Sequence, residues 1–587
     1  MKLEATKAVF LFPALAVMQF LALPAGRAQS LPAAYDLRSV SGASWISDIQ
    51  DQGKIGDCWT FASAEAMDSS LLMQGILPSS TVPPAPVVSS WALSTANGAA
   101  PSLLLTGNRY GTVGFGGSEY MMLGYVTRGQ GVWNIPGTTP ADSGTLITQM
   151  GGGPVSNSAP VSPGNSFPTA AFHSSQPADL GNPNLIPPVN QAPAYTATQV
   201  NMLCQGSPGN VALPTPTGTS GGLPTYSFTQ GAADPQVQAI KAAIKNSGAV
   251  TTSVNAVYSG FHEVSNGSGA RVPYTVVYNN DVNTQASDHE VAIIGWNDNY
   301  VVTDSNGAVT GTGAWLVQNS WGTGRWCDTV TGTSDGTFWA SYNDPTIGRV
   351  GVASVTLKAL SGSPTVVVQN EVGPIQQDSK YSAASSKDTG MAALTTGSIG
   401  GSSLNATGTV ASLLAPPQSG TLTAIGIASQ KAGASLILDI YSQWKDGAPG
   451  GTLLLSQNCS GLVLGYQLIT LDQALSLTGS DPVVLKLRYS DAEAVPIVVG
   501  PDTINYTLTG SSNVRSGLSF ELSGSGTWTD LAGVDFTGSD TNASVSNGGI
   551  LFAKAIVAVP EPGTWGLLAC GLGITLGVTR WKKTVQR

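Results

Sequence analysis

The sequence predicts an α+β domain followed by an all-β sandwich. A run of good helix formers begins at Cys58 and stops at Gly75. Apolar, strand-like segments follow from Ala249 to about residue 360. From about Pro364 onward, short alternating segments separated by polar turns are typical of a β-sandwich.

Composition indicates an extracytoplasmic protein that is rich in strands and loops. The 587 residues are enough for several domains, and the net charge of −10 gives no reason to expect nucleic acid as a partner. Charged residues make up only 10% of the chain, and the 42% apolar content argues against disorder. Residues 1–28 have the pattern of a secretory signal peptide, with an apolar run from Ala8 to Leu23. The alternative, an N-terminal membrane anchor, is less favoured because this run is shorter than a typical span.

Five cysteines are too few for a disulfide scaffold. If Cys58 stays free and Cys570 lies in an apolar C-terminal segment, at most one pair can form among Cys204, Cys327 and Cys459. The sequence leaves the pairing open, with Cys204–Cys327 as one candidate.

The candidate nucleophile is Cys58, which the pattern places at the first turn of a helix. Unpaired N–H groups and the positive end of the helix dipole favour a thiolate there, and the thiolate is the reactive form. Asp57 has the chemistry of an N-cap. The side-chain amide of Gln52 and the backbone N–H of Cys58 together would form an oxyanion hole. The plain alternative is that Cys58 is a small buried hydrophobe.

The pattern Gln-Gly-x-x-Gly-x-Cys-Trp around Cys58 resembles the nucleophile motif of papain-like cysteine peptidases. Such an enzyme needs an imidazole as base and acid, and a third group that orients the ring. The chain has three histidines. His173 and His262 lie in segments where a solvated or packed histidine is expected, whereas His289 opens an apolar strand.

The segment Ala314–Gly324 resembles the family's Asn-Ser-Trp-Gly motif. In this interpretation Asn319 accepts a hydrogen bond from the ring of His289, which leaves the other ring nitrogen facing Cys58. Trp321 covers that bond from water. A neutral amide orients the imidazole without neutralising it, so a thiolate–imidazolium pair can persist. No metal or cofactor is required.

The resemblance also implies a fold and a set of substrate-binding residues. The fold is a papain-like two-subdomain catalytic domain over residues 36–360, with a helical half and a β-barrel-like half. Glu290 occupies a position where the family has a small residue, at the pocket for the second substrate side chain before the cut. A carboxylate there favours a basic side chain, unless it points to solvent. The implied substrate-binding residues are Gly116, Gly117, Asp288, Glu290 and Trp321.

Residues 133–233 are crowded with Pro, Gly, Ser, Thr and Asn, and we interpret them as a surface insertion with some short elements. A short helix is expected over Val237–Asn246 and a strand over Ala249–Val254.

Residues 364–556 form the predicted sandwich, with clear alternation at Ser435–Tyr441 and Val484–Tyr489. They loosely resemble the lectin-like domain that follows papain-like domains in some exported bacterial and archaeal proteins. Glycan binding is implied by that resemblance alone, and a purely structural sandwich is the alternative.

Residues 559–587 combine Val559-Pro-Glu-Pro562, an apolar run from Trp565 to Val578 and a basic end. They resemble the PEP-CTERM sorting tail of Gram-negative bacteria. Such a tail implies processing by an exosortase-type enzyme and transient contact with the inner membrane; the alternative is a plain C-terminal anchor.

The sequence therefore predicts an exported cysteine endopeptidase in the periplasm, at the cell surface or in the extracellular matrix. It would act on protein or peptide substrates through Cys58, His289 and Asn319, with a thioester acyl-enzyme. Two alternatives remain at this stage: a glycan-binding adhesion protein with an idle peptidase domain, and acyl transfer instead of hydrolysis on the same cysteine.

Overall fold

The structure is a computed structural model, and it describes about half of the chain. The described residues are 31–50, 52, 57–90, 92–93, 117, 119–127, 132, 194–203, 218–220, 223–225, 231–254, 261–265, 271–276, 289–303, 309–322, 336–344, 346–349, 351–359, 365–369, 392–393, 398–399, 402–403, 406–416, 419–478, 482–492, 495–499, 517–533 and 549–559. The predicted signal peptide and the tail beyond Val559 lie outside these residues.

Three α-helices occur among them: α1 (Cys58–Met73), α2 (Glu119–Thr127) and α3 (Pro235–Ser247). Helix α1 begins at Cys58 and stops just before Gly75, which confirms the predicted start and stop. Gly75 adopts a φ of +67°. The N–H of Gly75 donates to the carbonyl of Leu72 and that of Ile76 to the carbonyl of Leu71, which is the Schellman pattern that ends a helix.

Helix α3 confirms the short helix expected over Val237–Asn246. The side chain of Asp234 accepts from the N–H groups of Gln236 and Val237, Pro235 occupies the first turn, and the helix stops at Gly248. No helix of the described part of the chain is long and apolar enough to span a membrane.

The part of the chain up to residue 360, which we call the N-terminal half, contributes eleven strands among the described residues. They are β1 (Ala34–Asp36), β2 (Tyr195–Met202), β3 (Gly218–Ser220), β4 (Leu223–Thr225), β5 (Val250–Val254), β6 (Phe261–Ser265), β7 (Arg271–Val276), β8 (His289–Thr303), β9 (Val309–Gln318), β10 (Thr337–Ser341) and β11 (Ala353–Ala359). Short 3-10 turns at Leu37–Ser39 and Leu531–Gly533 complete the regular structure.

The part from residue 364 onward, which we call the C-terminal half, contributes fifteen strands among the described residues. They are β12 (Thr365–Gln369), β13 (Ala392–Ala393), β14 (Ser398–Ile399), β15 (Ser402–Ser403), β16 (Ala406–Leu414), β17 (Gly420–Ser429), β18 (Ala434–Lys445), β19 (Ala448–Leu462), β20 (Gly465–Leu477), β21 (Val483–Tyr489), β22 (Pro496–Val499), β23 (Ser519–Ser523), β24 (Trp528–Asp530), β25 (Gly549–Leu551) and β26 (Ala553–Ala558).

One thirteen-stranded sheet runs through both halves of the chain. Its order is β12-β26-β17-β20-β2-β11-β5-β8-β9-β10-β7-β6, and β1 pairs with β8. A six-stranded sheet has the order β19-β18-β21-β16-β23-β24. It faces the strands β26, β17 and β20 of the large sheet. Buried residues from both sheets form one core, as expected for a sandwich.

Strand β2 differs from the sequence-based interpretation, because it lies inside the segment 133–233 that we expected to be a surface insertion. It pairs on one side with β11 and on the other with β20, and its side chains alternate between buried and half-buried positions. The Pro- and Gly-rich flanks obscured an eight-residue strand that is neither an edge nor a surface element.

A second core, which we call the mixed core, joins the two halves. It contains buried residues of α1 and α2, such as Trp59, together with Tyr466 of β20 and Phe552 just before β26. Tyr466 and Phe552 make an edge-to-face contact with their ring centroids 6.1 Å apart. Helix α1, which begins at Cys58, and helix α2 are therefore packed against the C-terminal half.

Two details refine the predicted boundaries. Strand β26 extends to Ala558, and Val559 is buried in the sandwich core, so the first residue of the predicted tail segment belongs to the folded domain. Cys459 is a free, buried thiol, so of the three candidate pairings only Cys204–Cys327 stays open, and both of its residues lie outside the described ranges.

Candidate active site

Cys58 is half-buried at the first turn of α1, where backbone N–H groups have no partner within the helix. Asp57 occupies the N-cap position, but its side chain makes no capping hydrogen bond, contrary to expectation. The carbonyl of Asp57 instead accepts from the N–H and from the hydroxyl of Thr60, each at 2.9 Å. In the first turn the backbone N–H of Trp59 lowers the pKa of the Cys58 thiol, whereas the carboxylate of Asp57 raises it.

His289 and Asn319 meet because two antiparallel strands bring them together. His289 is the first residue of β8, and Asn319 directly follows the last residue of β9, which pairs with β8. The ring Nε2 of His289 lies 2.7 Å from Oδ1 of Asn319. The N–H of Ser320 donates to the same oxygen at 2.8 Å, which fixes the orientation of the amide. With Nε2 engaged, Nδ1 is the ring atom available for proton exchange with a reacting group.

Trp321 stacks on the ring of His289, with centroids 4.7 Å apart and planes inclined by 25°. It is 8% exposed. The indole therefore shields the His289–Asn319 hydrogen bond, which strengthens it electrostatically.

Strand β8 also delivers a contact to the sulfur. The backbone N–H of Glu290 donates to Sγ of Cys58 at 3.3 Å. Because Glu290 directly follows His289, the start of β8 lies against the first turn of α1. The nucleophile candidate and the base candidate are thereby on facing elements of one site.

Gln52 is tied to the segment that carries Asn319. Its backbone N–H donates to the carbonyl of Ser320 at 2.8 Å, and its Oε1 accepts from the hydroxyl of Ser320 at 2.5 Å. The amide oxygen is thus held by Ser320, which leaves Nε2 as the donor end of the side chain. Gln52 is buried.

Burial dominates the electrostatics of the thiol. It raises the pKa of Cys58 to about 12, the nearby Glu290 carboxylate raises that pKa further, and the Glu290 N–H partly opposes both effects. The position at the helix terminus led us to expect a thiolate at rest, but desolvation of the buried sulfur favours the neutral thiol. Attack by this sulfur requires transfer of its proton to a neighbouring base, and the imidazolium so formed is the charge that compensates the thiolate.

The predicted substrate-binding residues are only partly within the described chain. Gly116 and Asp288 lie outside it. At Gly117, an added Cβ would come within 2.5 Å of the indole of Trp59, so only glycine allows this close approach. Glu290 is 3% exposed, which rules out the alternative that its side chain points to solvent.

A buried carboxyl that the sequence analysis missed supports the Asn319 segment. Glu65 of α1 accepts from the N–H and hydroxyl of Ser47 and from Nε2 of Gln318, the residue before Asn319. Burial raises the pKa of Glu65 to about 8. Its position two helical turns after Cys58, on the same helix, was the only available indication.

Residues 219–331 match the family description of papain family cysteine proteases. The match includes His289 and Asn319. No curated protein matches the chain.

Two similar solved structures cover most of the chain. One holds the cysteine protease and lectin-like domains of Cwp84, a surface layer associated protein of Clostridium difficile, at 15% identity and a TM-score of 0.51, with 90% of this chain and 89% of that chain covered. The other is the clostridial cysteine protease Cwp84 after propeptide cleavage, at 17% identity and a TM-score of 0.52, with 90% and 99% covered. The chain thus contains a papain-family peptidase domain with a papain-like fold, joined to a β domain, and the protein is a cysteine-type peptidase, which is a hydrolase.

Proposed function

We propose that the protein is an exported cysteine endopeptidase that uses Cys58 as nucleophile, His289 as base and acid, and Asn319 as the group that orients the ring. The single observation that carries the proposal is the 2.7 Å hydrogen bond between His289 and Asn319, which Trp321 covers from water. The residue after His289, Glu290, donates its backbone N–H to the Cys58 sulfur and so places this hydrogen bond beside the nucleophile.

The geometry supports the following sequence of steps. His289 Nδ1 takes the proton of Cys58 as Sγ attacks the carbonyl carbon of the scissile bond, and the carbonyl oxygen becomes an oxyanion. The backbone N–H of Cys58 and Nε2 of Gln52 donate to that oxygen. His289 then gives its proton to the leaving amine nitrogen, the C–N bond breaks, and a thioester remains. Water attacks the carbonyl carbon of the thioester and gives a proton to His289. The C–S bond breaks, the carboxylic acid product leaves, and His289 returns the proton to the Cys58 sulfur.

Export is supported by the secretory pattern of residues 1–28. The Cwp84 structure that covers 90% of this chain holds a lectin-like domain beside its cysteine protease domain, and we extend the lectin-like assignment to the sandwich on that basis. Processing of the C-terminal tail by an exosortase-type enzyme belongs to the same proposal.

The test is labelling with an epoxide or vinyl-sulfone thiol probe, with the Cys58-containing peptide quantified by mass spectrometry. Wild type should react rapidly at Cys58, and Cys58→Ala should not be labelled at that position. His289→Ala should react at least about a hundredfold more slowly than wild type, because proton transfer to the base is lost. His262→Ala is the matched control, because His262 lies on β6 at the far edge of the large sheet. Equal labelling rates in wild type and His289→Ala would refute the proposed role of His289.

A further inference from the structure

One buried carboxyl on the helix of the nucleophile has no role in the steps above. Glu65 follows Cys58 by two turns of α1 and is 3% exposed. Burial raises the pKa of this carboxyl to about 8, which shows that the protein interior disfavours its charged form. An apolar side chain would fill the same buried position at lower cost. The carboxyl is therefore best explained by the contacts that it makes.

Glu65 joins α1 to the two segments that carry the other functional groups. Its Oε1 accepts from the backbone N–H of Ser47 at 3.2 Å. Its Oε2 accepts from the hydroxyl of Ser47 at 2.5 Å and from Nε2 of Gln318 at 3.0 Å. Gln318 is the last residue of β9 and directly precedes Asn319, and Ser47 lies five residues before Gln52. One side chain on the nucleophile's helix thus contacts both the strand of the orienting amide and the segment of the oxyanion donor.

These two segments are also bonded to each other. The contacts are two backbone hydrogen bonds, from the N–H of Gly322 to the carbonyl of Gln50 at 3.0 Å and from the N–H of Gln52 to the carbonyl of Ser320 at 2.8 Å. Residues 318–322 are therefore held twice. Glu65 binds them directly at Gln318, and it binds them a second time through the segment that it holds at Ser47.

The amide of Asn319 depends on this support. Its Oδ1 is engaged by the ring of His289 and by the N–H of Ser320, whereas its Nδ2 is buried without a hydrogen-bond partner in the described part of the chain. The position of the amide is thus set mainly by the backbone of its own segment. A displacement of about 1 Å at a catalytic group can cost about a hundredfold in rate, so the anchoring of this backbone bears directly on catalysis.

We propose that Glu65 is a positioning residue for the reaction: by binding Gln318 and Ser47 at once, it fixes Asn319, and through it the ring of His289, relative to Cys58. This inference rests on the proposed function, because it requires His289 to act as the base. It also differs from a purely stabilising role, since the loss of Glu65 must slow the chemical step in protein that is still folded.

The test measures kcat and KM of Glu65→Ala on a quenched fluorescent peptide that is selected from a mixed-sequence library by cleavage with wild type. Rates are expressed per Cys58 that the thiol probe labels at completion, so that misfolded protein is not counted. Glu65→Ala should lower kcat at least about tenfold, because the His289–Asn319 pair shifts relative to the sulfur. KM should stay within about twofold of wild type, because Glu65 does not touch the substrate.

Asp68→Ala is the matched control on the same helix. Asp68 is 1% exposed and accepts from the backbone N–H groups of residues 87–88. Its side chain also reaches Ser47, but it has no hydrogen bond to Gln318. Asp68→Ala should therefore lower the urea midpoint, as Glu65→Ala does, and leave kcat within about twofold of wild type.

A double-mutant cycle tests the route of the effect. If Glu65 acts through Asn319, the double variant Glu65→Ala/Asn319→Ala should be as fast as Asn319→Ala within about twofold, whereas independent effects would multiply. Gln318→Met removes the same link from the side of β9, keeps the side-chain volume and leaves Glu65 bonded to Ser47. It should lower kcat at least about fivefold, and it decides the question should Glu65→Ala fail to fold.

Wild-type kcat in labelled Glu65→Ala, or in labelled Gln318→Met, overturns this inference and leaves the proposed function standing, because Glu65 would then only stabilise the fold. Losses that multiply in the double variant overturn it as well, and so does a kcat in Asp68→Ala that falls as far as that of Glu65→Ala. Wild type that is neither labelled nor active overturns the proposed function and this inference together.

Discussion

Replacing Tyr466 with alanine is expected to destabilise the active-site region, although Tyr466 belongs to the C-terminal half. Its ring is 2% exposed in the mixed core, contacts Phe552 edge-on, and fills the space over Gly426, where an added Cβ would meet the ring atoms at 2.4–2.9 Å. Truncation of a large buried aromatic side chain costs about 3–5 kcal/mol. Since about 1.4 kcal/mol is a factor of ten, the unfolding constant should rise by about two to three and a half orders of magnitude.

The assay is urea unfolding followed by two probes: tryptophan fluorescence for the whole chain, and thiol-probe labelling of Cys58 for the site. In the Tyr466→Ala variant both midpoints should fall together, because α1 and β20 share the mixed core. Trp444→Ala is the control, since Trp444 is a half-buried ring that stacks on Phe520 in the six-stranded sheet and lies outside the mixed core. Its effect on the Cys58 midpoint should be clearly smaller. In Tyr466→Ala, fluorescence could show a separate, earlier transition while the urea midpoint for Cys58 labelling stays at the wild-type value. That result would refute the claim that α1 and β20 are stabilised by one shared core.

Two further predictions follow from buried polar contacts. Asn319→Ala removes the acceptor for His289 Nε2, and the loss of a hydrogen bond to a charged group costs about 1.5–3 kcal/mol, so kcat/KM should fall about 10- to 150-fold. The control is Asn299→Ala, since Asn299 is exposed. An unchanged kcat/KM in Asn319→Ala would contradict the role of Asn319. Burial raises the pKa of Glu65 to about 8 in the folded protein, so the folded state keeps this proton at pH values where the unfolded state has lost it. The stability that comes with the protonated carboxyl is therefore fully present below about pH 4.5 and is lost as the pH rises to about 8. The free energy of unfolding of Glu65→Gln should accordingly fall less between pH 5 and pH 8 than that of wild type or of exposed Asp48→Asn; parallel pH profiles would contradict this.

Local sequence was sufficient wherever a feature depends on neighbouring residues. The start of α1 at Cys58 and its stop at Gly75 follow from helix propensity and from the positive φ that glycine adopts without strain. The ends of α3 at Asp234 and Gly248 follow in the same way. The peptidase domain was also predictable, because its motifs are short and contiguous, and the match over residues 219–331 confirms it.

Sequence was not sufficient where distant segments meet. Strand β2 was hidden among Pro- and Gly-rich residues, because a buried strand of eight residues takes its stability from β11 and β20 and not from its own pattern. Glu119 and Glu290 are likewise far apart in the chain and come close only in the fold, where burial and the nearby Glu119 raise the pKa of Glu290.

The sequence by itself thus determined which residues can carry peptidase chemistry and where the main helices begin and end, since both depend on residue type and short-range spacing. Only the tertiary structure decided that Glu290 is buried, that Gln52 is held by Ser320, and that the two halves share a sheet and a core. The physical reason is that the burial of a side chain and its packing contacts depend on segments that are distant in the sequence, and these segments come together only when the chain folds.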